Sequence, residues 1–416
     1  MLISLLALRE NVYRCVGCGV CRGIWERDEE AMCPIFATRI GFESGMPRGM
    51  VTVAQDLLEG HVNLSRAMAD AFYRCTDCGA CATNCNALSQ TGEHIIDVPR
   101  IARAIRADLV ESSLAPPAAR DVFKALIATG NAFGQPPERR GDWARASGVE
   151  QFGPTHEFLL YVGDVGSYDE RGQAMARAVA RLLRAAGVSF GILGEREVND
   201  GNDVKAMGEL ALFEHLAKTN IDAFLDAGVR KIICLDPHSY NCFTNDYPSL
   251  GGRFDVWHFT QLTKDLALGV SGRDLADPAR NATRVVPDSQ TSRVTYHDPC
   301  YLGRKNGEFE APRESLSAAG ADLVEMPRSR RNSFCCGGGS GNFYTDMLGG
   351  GVNSAARVRV REAAATGAEI IAVACPMCSK MLDDAIKSEN LDGRLKVADV
   401  AQLILAESEC EPRHVH

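Results

Sequence analysis

Five cysteines between positions 300 and 378 fall into three short clusters: HDPCYLGR at Cys300, SFCCGGGSGN at Cys335 and Cys336, and VACPMCSK at Cys375 and Cys378. A tetrahedral zinc or a cubane iron–sulfur cluster takes four thiolates, so a fifth in one constellation suggests a cluster with a bridging or doubly shared sulfur. Neighbouring side chains normally diverge. Gly337, Gly338 and Gly339 would let the backbone bend tightly enough for both members of the pair to face one site. A zinc site with a spare cysteine is the plainer alternative, although structural zinc usually takes two clean Cys-x2-Cys pairs.

Eight further cysteines lie between positions 15 and 85. Cys15, Cys18 and Cys21 form a Cys-x2-Cys-x2-Cys run, and Cys33 arrives after eleven intervening residues. Cys75, Cys78 and Cys81 form a second run, closed by Cys85. Two such runs are the signature of two-cluster ferredoxins, in which the fourth cysteine of each run ligates the other cluster. One [4Fe-4S] cube is therefore expected on Cys15, Cys18, Cys21 and Cys85, and a second on Cys75, Cys78, Cys81 and Cys33. The pattern departs from type in two places: Asn86 stands where proline usually follows, and the first run is stretched. Sixteen cysteines in all, at ligand spacing, point to metal rather than to a disulfide framework.

The elements that must position these groups show in the apolar periodicity. TVAQDLLEG, LSRAMADAFYR and VPRIARAIRADLVE have helical spacing, which predicts an all-α ferredoxin domain over residues 1–125. APPAAR, GQPPERRGD and FGPTHE mark a linker, placed at 126–155. HEFLLYVG, VSFGILG and VRKIICL then read as strands, with helices at RGQAMARAVARLLRAAG and over 203–228. A second such unit has strands RVTYH, ADLVEM and AEIIAVAC and helices near 351–366 and 378–388. The fold class is α+β multidomain: the helical domain, then two repeated α/β parallel-sheet cysteine-rich domains at 156–289 and 290–410.

The two units compare position by position. In the second, 34 residues separate Cys300 from Cys335 and 38 separate Cys336 from Cys375. In the first, 34 residues separate Asp164 from Asn199, and 35 separate Asp200 from Asp236. Asp164 thus answers to Cys300, Asn199–Asp200 to Cys335–Cys336, and Asp236/Ser239 to Cys375/Cys378. Hard oxygen groups in place of thiolates cannot hold an iron–sulfur cluster, so the first unit keeps the fold and loses the metal.

Nearly the whole chain resembles the catalytic subunit of heterodisulfide reductase and its relatives, which join a two-cluster ferredoxin domain to tandem cysteine-rich domains. HDPCYLGR, FCCGGGSGN and ACPMC carry the resemblance. It implies that Cys300, Cys335, Cys336, Cys375 and Cys378 bind one noncubane [4Fe-4S] cluster, the site of thiol or disulfide chemistry. The altered first motif leaves no second cluster to share a split disulfide. The plan is most similar to cytoplasmic iron–sulfur subunits of sulfite-reductase-associated and transmembrane cytochrome complexes. That implies an oxidoreductase subunit attached to the inner membrane through a haem b membrane partner linked to quinone, alongside other redox subunits (cytochrome or iron–sulfur) and a small thiol/disulfide carrier protein. The iron–sulfur subunits of flavin-dependent 2-hydroxy-acid and glycerol-3-phosphate dehydrogenase complexes are the alternative, and a pure electron-transfer adaptor with no substrate site is the competing class.

Disulfide reduction consumes protons, and His238 with Asp236 are the candidate catalytic pair on the wall facing the noncubane cluster. The structural alternative is that Asp236 simply caps the next helix. Arg304, Lys305, Arg328, Arg330 and Arg331 flank the cysteines; solvated surface charge accounts for them, and steering of an acidic partner or an anion is the functional alternative. Cys234 and Cys242 sit at the wrong offsets for ligands and are expected to be buried apolar thiols. Cys410, His414 and His416 are given no role. GGGSG lacks a Walker lysine and a dinucleotide fingerprint, so no flavin or nicotinamide site is expected. A net charge of −9 argues against nucleic acid. LISLLAL is too short for a signal peptide, and no apolar run reaches membrane-spanning length, which with the thiolates suggests the cytoplasm.

Overall fold

The computed structural model describes residues 2–24, 27–38, 43–145, 147–263 and 293–405. The 289/290 boundary, Cys410, His414 and His416 lie outside the described residues. In the N-terminal segment the helix Val98–Glu111 turns Ile101, Ala102, Ile105 and Leu109 inward. The helices Ile3–Leu6, Pro47–Glu59 and Arg66–Phe72 pack on it. Its buried Asp108 accepts the backbone N–H groups of Ser4 and Leu5 at 2.9 and 3.0 Å, capping the first helix from across the core. Leu5 and Leu8 of LISLLAL are buried there.

This segment is not all helical. The insertion between Cys21 and Cys33 contains a short antiparallel pair, β1 (Gly23–Ile24) with β2 (Arg27–Ala31). A chain that must leave one cysteine cluster and return to another within eleven residues satisfies its backbone by folding back on itself. Residues 126–155, expected as a linker, are also built into the molecule. Asn131, Arg140 and Trp143 are buried, and the Asn199 N–H donates to the Gly130 carbonyl at 2.8 Å. The prolines that suggested a linker instead start helical turns, Pro117 in the helix Pro117–Thr129 and Pro137 in the turn Pro137–Gly141.

Two parallel four-stranded sheets follow. The first contains β3 (Phe158–Tyr161), β4 (Phe190–Gly191), β5 (Lys231–Cys234) and β6 (Asp255–His258), in the order β4-β3-β5-β6. The second contains β7 (Arg293–Tyr296), β8 (Asp322–Leu323), β9 (Ile370–Val373) and β10 (Lys396–Asp399), in the order β8-β7-β9-β10. The central strands are short and nearly all apolar because helices cover both faces. The repetition reaches the edge strands, which the apolar pattern did not reveal. β6 ends at His258, whose N–H donates to Gln261 Oε1; β10 ends at Asp399, whose N–H donates to Gln402 Oε1, each at 2.9 Å. The helix Glu170–Ala185 packs on Pro376–Ser388 and Val400–Leu405, and Arg171 meets Asp383 at 2.6 Å. Among the described residues no helix is long and apolar enough to cross a membrane.

Candidate iron–sulfur centre

Parallel sheets place ligands at the carboxyl ends of their strands. Cys300 follows β7 and Cys375 follows β9, where it is the N-cap residue of the helix Pro376–Ser388, with Cys378 in the first turn. Cys335 and Cys336 arrive on a loop whose bend is made at Gly337, with φ +94°. All five thiols are buried and none is in a disulfide. They form a chain of contacts: Cys335 is hydrogen-bonded to Cys300 and Cys336, and Cys378 to Cys336 and Cys375. The Cys336 and Cys378 sulfurs are 3.3 Å apart. Within this chain Cys336 and Cys300 are pushed down by hydrogen bonds from Cys335, while Cys335 and Cys378 are pushed up by the thiols they donate to. Five buried soft donors in mutual contact fit a thiophilic iron–sulfur group and have no other evident use.

His297, in the same motif as Cys300, is a part of this site that the cysteine spacing did not assign. The guanidinium of Arg359 donates to its Nδ1 at 3.1 Å. Arginine can only donate, so the ring proton is on Nε2, and ligand-type atoms of His297, Cys336 and Cys378 lie within 4.8 Å of one another. Burial pushes the His297 pKa down, which keeps this neutral tautomer. The signal was available: a histidine three residues before a ligand.

The other eight cysteines gather in two sets. Burial and then Cys15, Cys18 and Cys85 push Cys21 up to about 12. Burial and then Cys75, Cys78 and Cys33 push up Cys81. A small, mostly apolar cavity lies among Cys33, Cys75, Cys78 and Cys81. The first set is at the surface, with Cys18 exposed. The second set touches the five-thiol site: Cys78 packs with Cys300 and Cys335 in one buried cluster, and Thr76 Oγ1 is 3.6 Å from the Cys335 sulfur. The intervening loop is clamped. Asp77 Oδ2 accepts from the Tyr301 hydroxyl at 2.7 Å, Lys305 at 2.8 Å and Arg103 at 3.0 Å, and these cations outweigh burial to hold Asp77 well below the usual carboxylate range.

The first repeat holds no thiol at the corresponding positions. Asp164 accepts from Arg140 at 2.6 Å, Asn199 at 2.7 Å and the Ala132 N–H at 2.8 Å. Asp200 accepts from the Ser239 hydroxyl at 2.8 Å and is pushed up to about 7 by burial and then by Asp236. Arg140, from the supposed linker, gave no signal of its own; only the need of a buried Asp164 for a cation pointed to it. Cys234 and Cys242 are fully buried in the core, and Cys242 donates to the Asp200 carbonyl at 3.2 Å.

Asp236 caps the helix Pro237–Asn245, accepting the His238 N–H at 2.9 Å, and also lies 3.9 Å from the Cys375 sulfur. Ligand-type atoms of Asp236, His238 and Cys375 lie within 4.8 Å of one another. His238 is stacked on Tyr301, with centroids 4.1 Å apart, and lies 3.4 Å from Asp203. Burial opposes its charge, but Asp203 and Asp236 together push its pKa well up, favouring the imidazolium.

The flanking cations are not solvated surface charge as a group. Arg328 pairs with Glu362 and reaches the Ala31 carbonyl, and Arg330 pairs with Glu310. Arg331 donates to the Thr83 carbonyl, and Lys305 pairs with Asp77. Arg304 turns inward. Each stem is anchored by carbonyls or carboxylates that no spacing rule locates.

Residues 11–90 match the 4Fe-4S dicluster domain family and residues 294–383 the cysteine-rich domain family. The chain is 32% identical to a probable membrane-anchored ferredoxin of Chromohalobacter salexigens, over 94% of the chain and 59% of that relative. It is 31% identical to the EtfAB:quinone oxidoreductase of Syntrophomonas wolfei, over 81% of the chain and 46% of that relative. The chain thus spans about half the length of these two relatives. It is 30% identical to one subunit of the dihydromethanophenazine:CoB–CoM heterodisulfide reductase of Methanosarcina mazei, over 80% of the chain and 77% of that relative.

Proposed function

The chain belongs to a family of iron–sulfur oxidoreductase subunits that includes this heterodisulfide reductase component, and from that premise we propose that it is the electron-relaying subunit of a membrane-associated redox complex. One end of the relay meets a quinone-linked membrane partner with haem b; the other meets a thiol/disulfide or electron-carrier partner at the five-thiol site. The packing of Cys78 and Thr76 against Cys335 carries this reading, since it leaves no gap between the second cysteine set and the third. The exposed Cys18 gives the opposite end access to a partner. Clusters on Cys15, Cys18, Cys21 and Cys85, on Cys33, Cys75, Cys78 and Cys81, and on Cys300, Cys335, Cys336, Cys375 and Cys378 would supply one-electron storage.

The chain's own residues supply the rest. Splitting a disulfide into two thiols takes two electrons and two protons, the electrons coming from the redox partner. His238 holds a proton beside Cys375, Asp203 and Asp236 stabilise it there, and Tyr301 fixes the ring plane. Peripheral attachment to the inner membrane comes through the partner. A second reading, electron transfer with no substrate, is favoured by one observation: the polar cavity of about 300 Å³ beside Tyr301 is lined by none of the five cysteines. Anaerobically purified protein should contain about twelve irons per chain, four per cluster. A thiol that perturbs the paramagnetic spectrum of the oxidised protein supports the thiol/disulfide reading, and indifference to every thiol and disulfide leaves the relay alone. Copurification of a haem b membrane subunit tests the partner.

A further inference from the structure

Three side chains that follow Cys300 turn toward the loop of the second cysteine set. Two of them, Tyr301 and Lys305, end on Asp77. The third is Arg304. Its Nε donates to the Cys78 carbonyl at 2.7 Å and its Nη1 to the Ser333 carbonyl at 2.5 Å, while Nη2 is buried with no hydrogen-bond partner. Among the described residues it forms no ion pair with a carboxylate. Asp298, the carboxylate that does act on it, is already held by both ends of the Arg313 fork at 2.6 and 2.9 Å. Its hydrogen bonds instead hold it where Cys78, Cys300 and Cys335 pack together in one buried cluster, and these three thiols are the sulfur groups that act on its charge.

The other cations at this junction differ. Arg103 and Lys305 share the Asp77 carboxylate, so their charge is largely spent there. Arg106 is fully buried and also lacks a carboxylate, but its guanidinium donates to the Phe72, Cys75 and Ala206 carbonyls and the Ser340 hydroxyl, and the thiol it acts on, Cys75, belongs to the second set alone. Arg304 is half-buried, and a guanidinium with a buried, unpartnered nitrogen and no carboxylate is costly unless another anion compensates it. Here that anion would be the thiolates of two ligand sets at once, Cys78 from one and Cys300 with Cys335 from the other. We propose that Arg304 is a fixed cation shared by the second cube and the C-terminal cluster, holding both reduction potentials up together. The proposal rests on the reading that both sets hold iron–sulfur clusters. An added electron makes either cluster more negative, and a nearby fixed positive charge favours that reduced state. Arg304 acts through charge and position and is not a catalytic residue.

The test compares the whole wild-type protein with Arg304→Gln and Arg304→Lys, all purified anaerobically, by iron content and by redox titration followed by electron paramagnetic resonance. The expected result is full iron in Arg304→Gln, with the second-cube and C-terminal signals both moved to more negative potentials. Arg304→Lys should restore most of each shift, and the first cube, whose cysteines Arg304 does not face, should stay where it is. Unmoved potentials at full iron, or a shift confined to one signal, overturn the proposal. Should Arg304→Gln lose iron, Arg304→Lys decides: iron and potentials like the wild type's support the charge, and any other result assigns Arg304 to structure and overturns it. A wild-type protein without cluster iron overturns the cluster reading instead.

Discussion

Removing Arg140 should destabilise the first repeat by about 3 kcal/mol without changing the iron content. The pair it forms with Asp164 is buried, with side chains 2% and 1% exposed and 2.6 Å between nitrogen and oxygen. Removing one partner of a buried ion pair costs about 3–5 kcal/mol, because the other charge is left uncompensated. Asp164 would keep Asn199 and the Ala132 N–H as donors, which puts Arg140→Met at the lower end of that range. Asp164→Asn strands a guanidinium whose Nη1 already lacks a partner and should cost at least as much. The double variant Arg140→Met/Asp164→Asn removes both charges, so its loss should fall well short of the sum, giving an interaction term of about 1–3 kcal/mol. Anaerobic denaturant unfolding reads this out through the fluorescence of the nearby, buried Trp143. A loss below about 1 kcal/mol in Arg140→Met, or strict additivity in the cycle, refutes the idea that this pair took over the place of a metal cluster.

Cys336→Ala should lower iron from about twelve to about eight per chain and remove the C-terminal signal while both cubes persist; loss of a cube signal instead would show that the sets are wrongly partitioned. Tyr301→Phe should cost about 1.5–3 kcal/mol, the worth of a buried hydrogen bond to a charged group, by removing one of the three donors to Asp77 while keeping the ring on His238; unfolding midpoints equal to the wild type's contradict the clamp. Burial holds the Asp399 carboxyl up at about 8, against 3.8 for the free group. The folded chain therefore keeps a proton that the unfolded chain releases, and wild-type stability falls as pH rises from about 4 toward about 8, by at most about 1.4 kcal/mol per pH unit. Asp399→Asn should escape this loss, gaining on the wild type by on the order of 2–4 kcal/mol between pH 4 and pH 7; a difference that stays constant over that range rules it out.

How much of this was readable in the chain depends on what kind of signal each part leaves. FLLY, KIIC and IIAV stand out because a parallel strand covered on both faces must be apolar throughout. DVWH and KVAD do not, since an edge strand of four residues needs few buried side chains, and only the shared Gln261 and Gln402 bonds reveal them as a pair. Cysteine spacing is local and so is legible: a run of three ligands cannot be spread without losing the cluster. Arg140 and Arg304 are the reverse case. Each acts on groups far away in sequence or across a segment boundary, and a basic residue among turn formers reads as surface until the acceptor is seen. Proline misled for a related reason, marking where helical turns begin between 117 and 141 while leaving open whether the segment docks.

The first repeat is better understood as a neutralised copy than as an empty one. Three carboxylates, Asp164, Asp200 and Asp236, replaced ligands that a metal would have compensated, and three buried acids without cations would not be tolerated. Each is met differently. Arg140 pairs with Asp164, Asp200 is pushed up to about 7 so that it carries its charge only in part, and His238 faces Asp236. The three solutions are not equivalent for the chemistry proposed. Arg140 and Ser239 serve acids of the first repeat, Asp164 and Asp200, whereas Asp236 lies 3.9 Å from Cys375 and His238 stacks on the tyrosine that follows Cys300. A compensating arginine at position 238 would have kept the acid paired but could not have released a proton. Histidine at that position compensates the buried acid and leaves a transferable proton beside the surviving thiols.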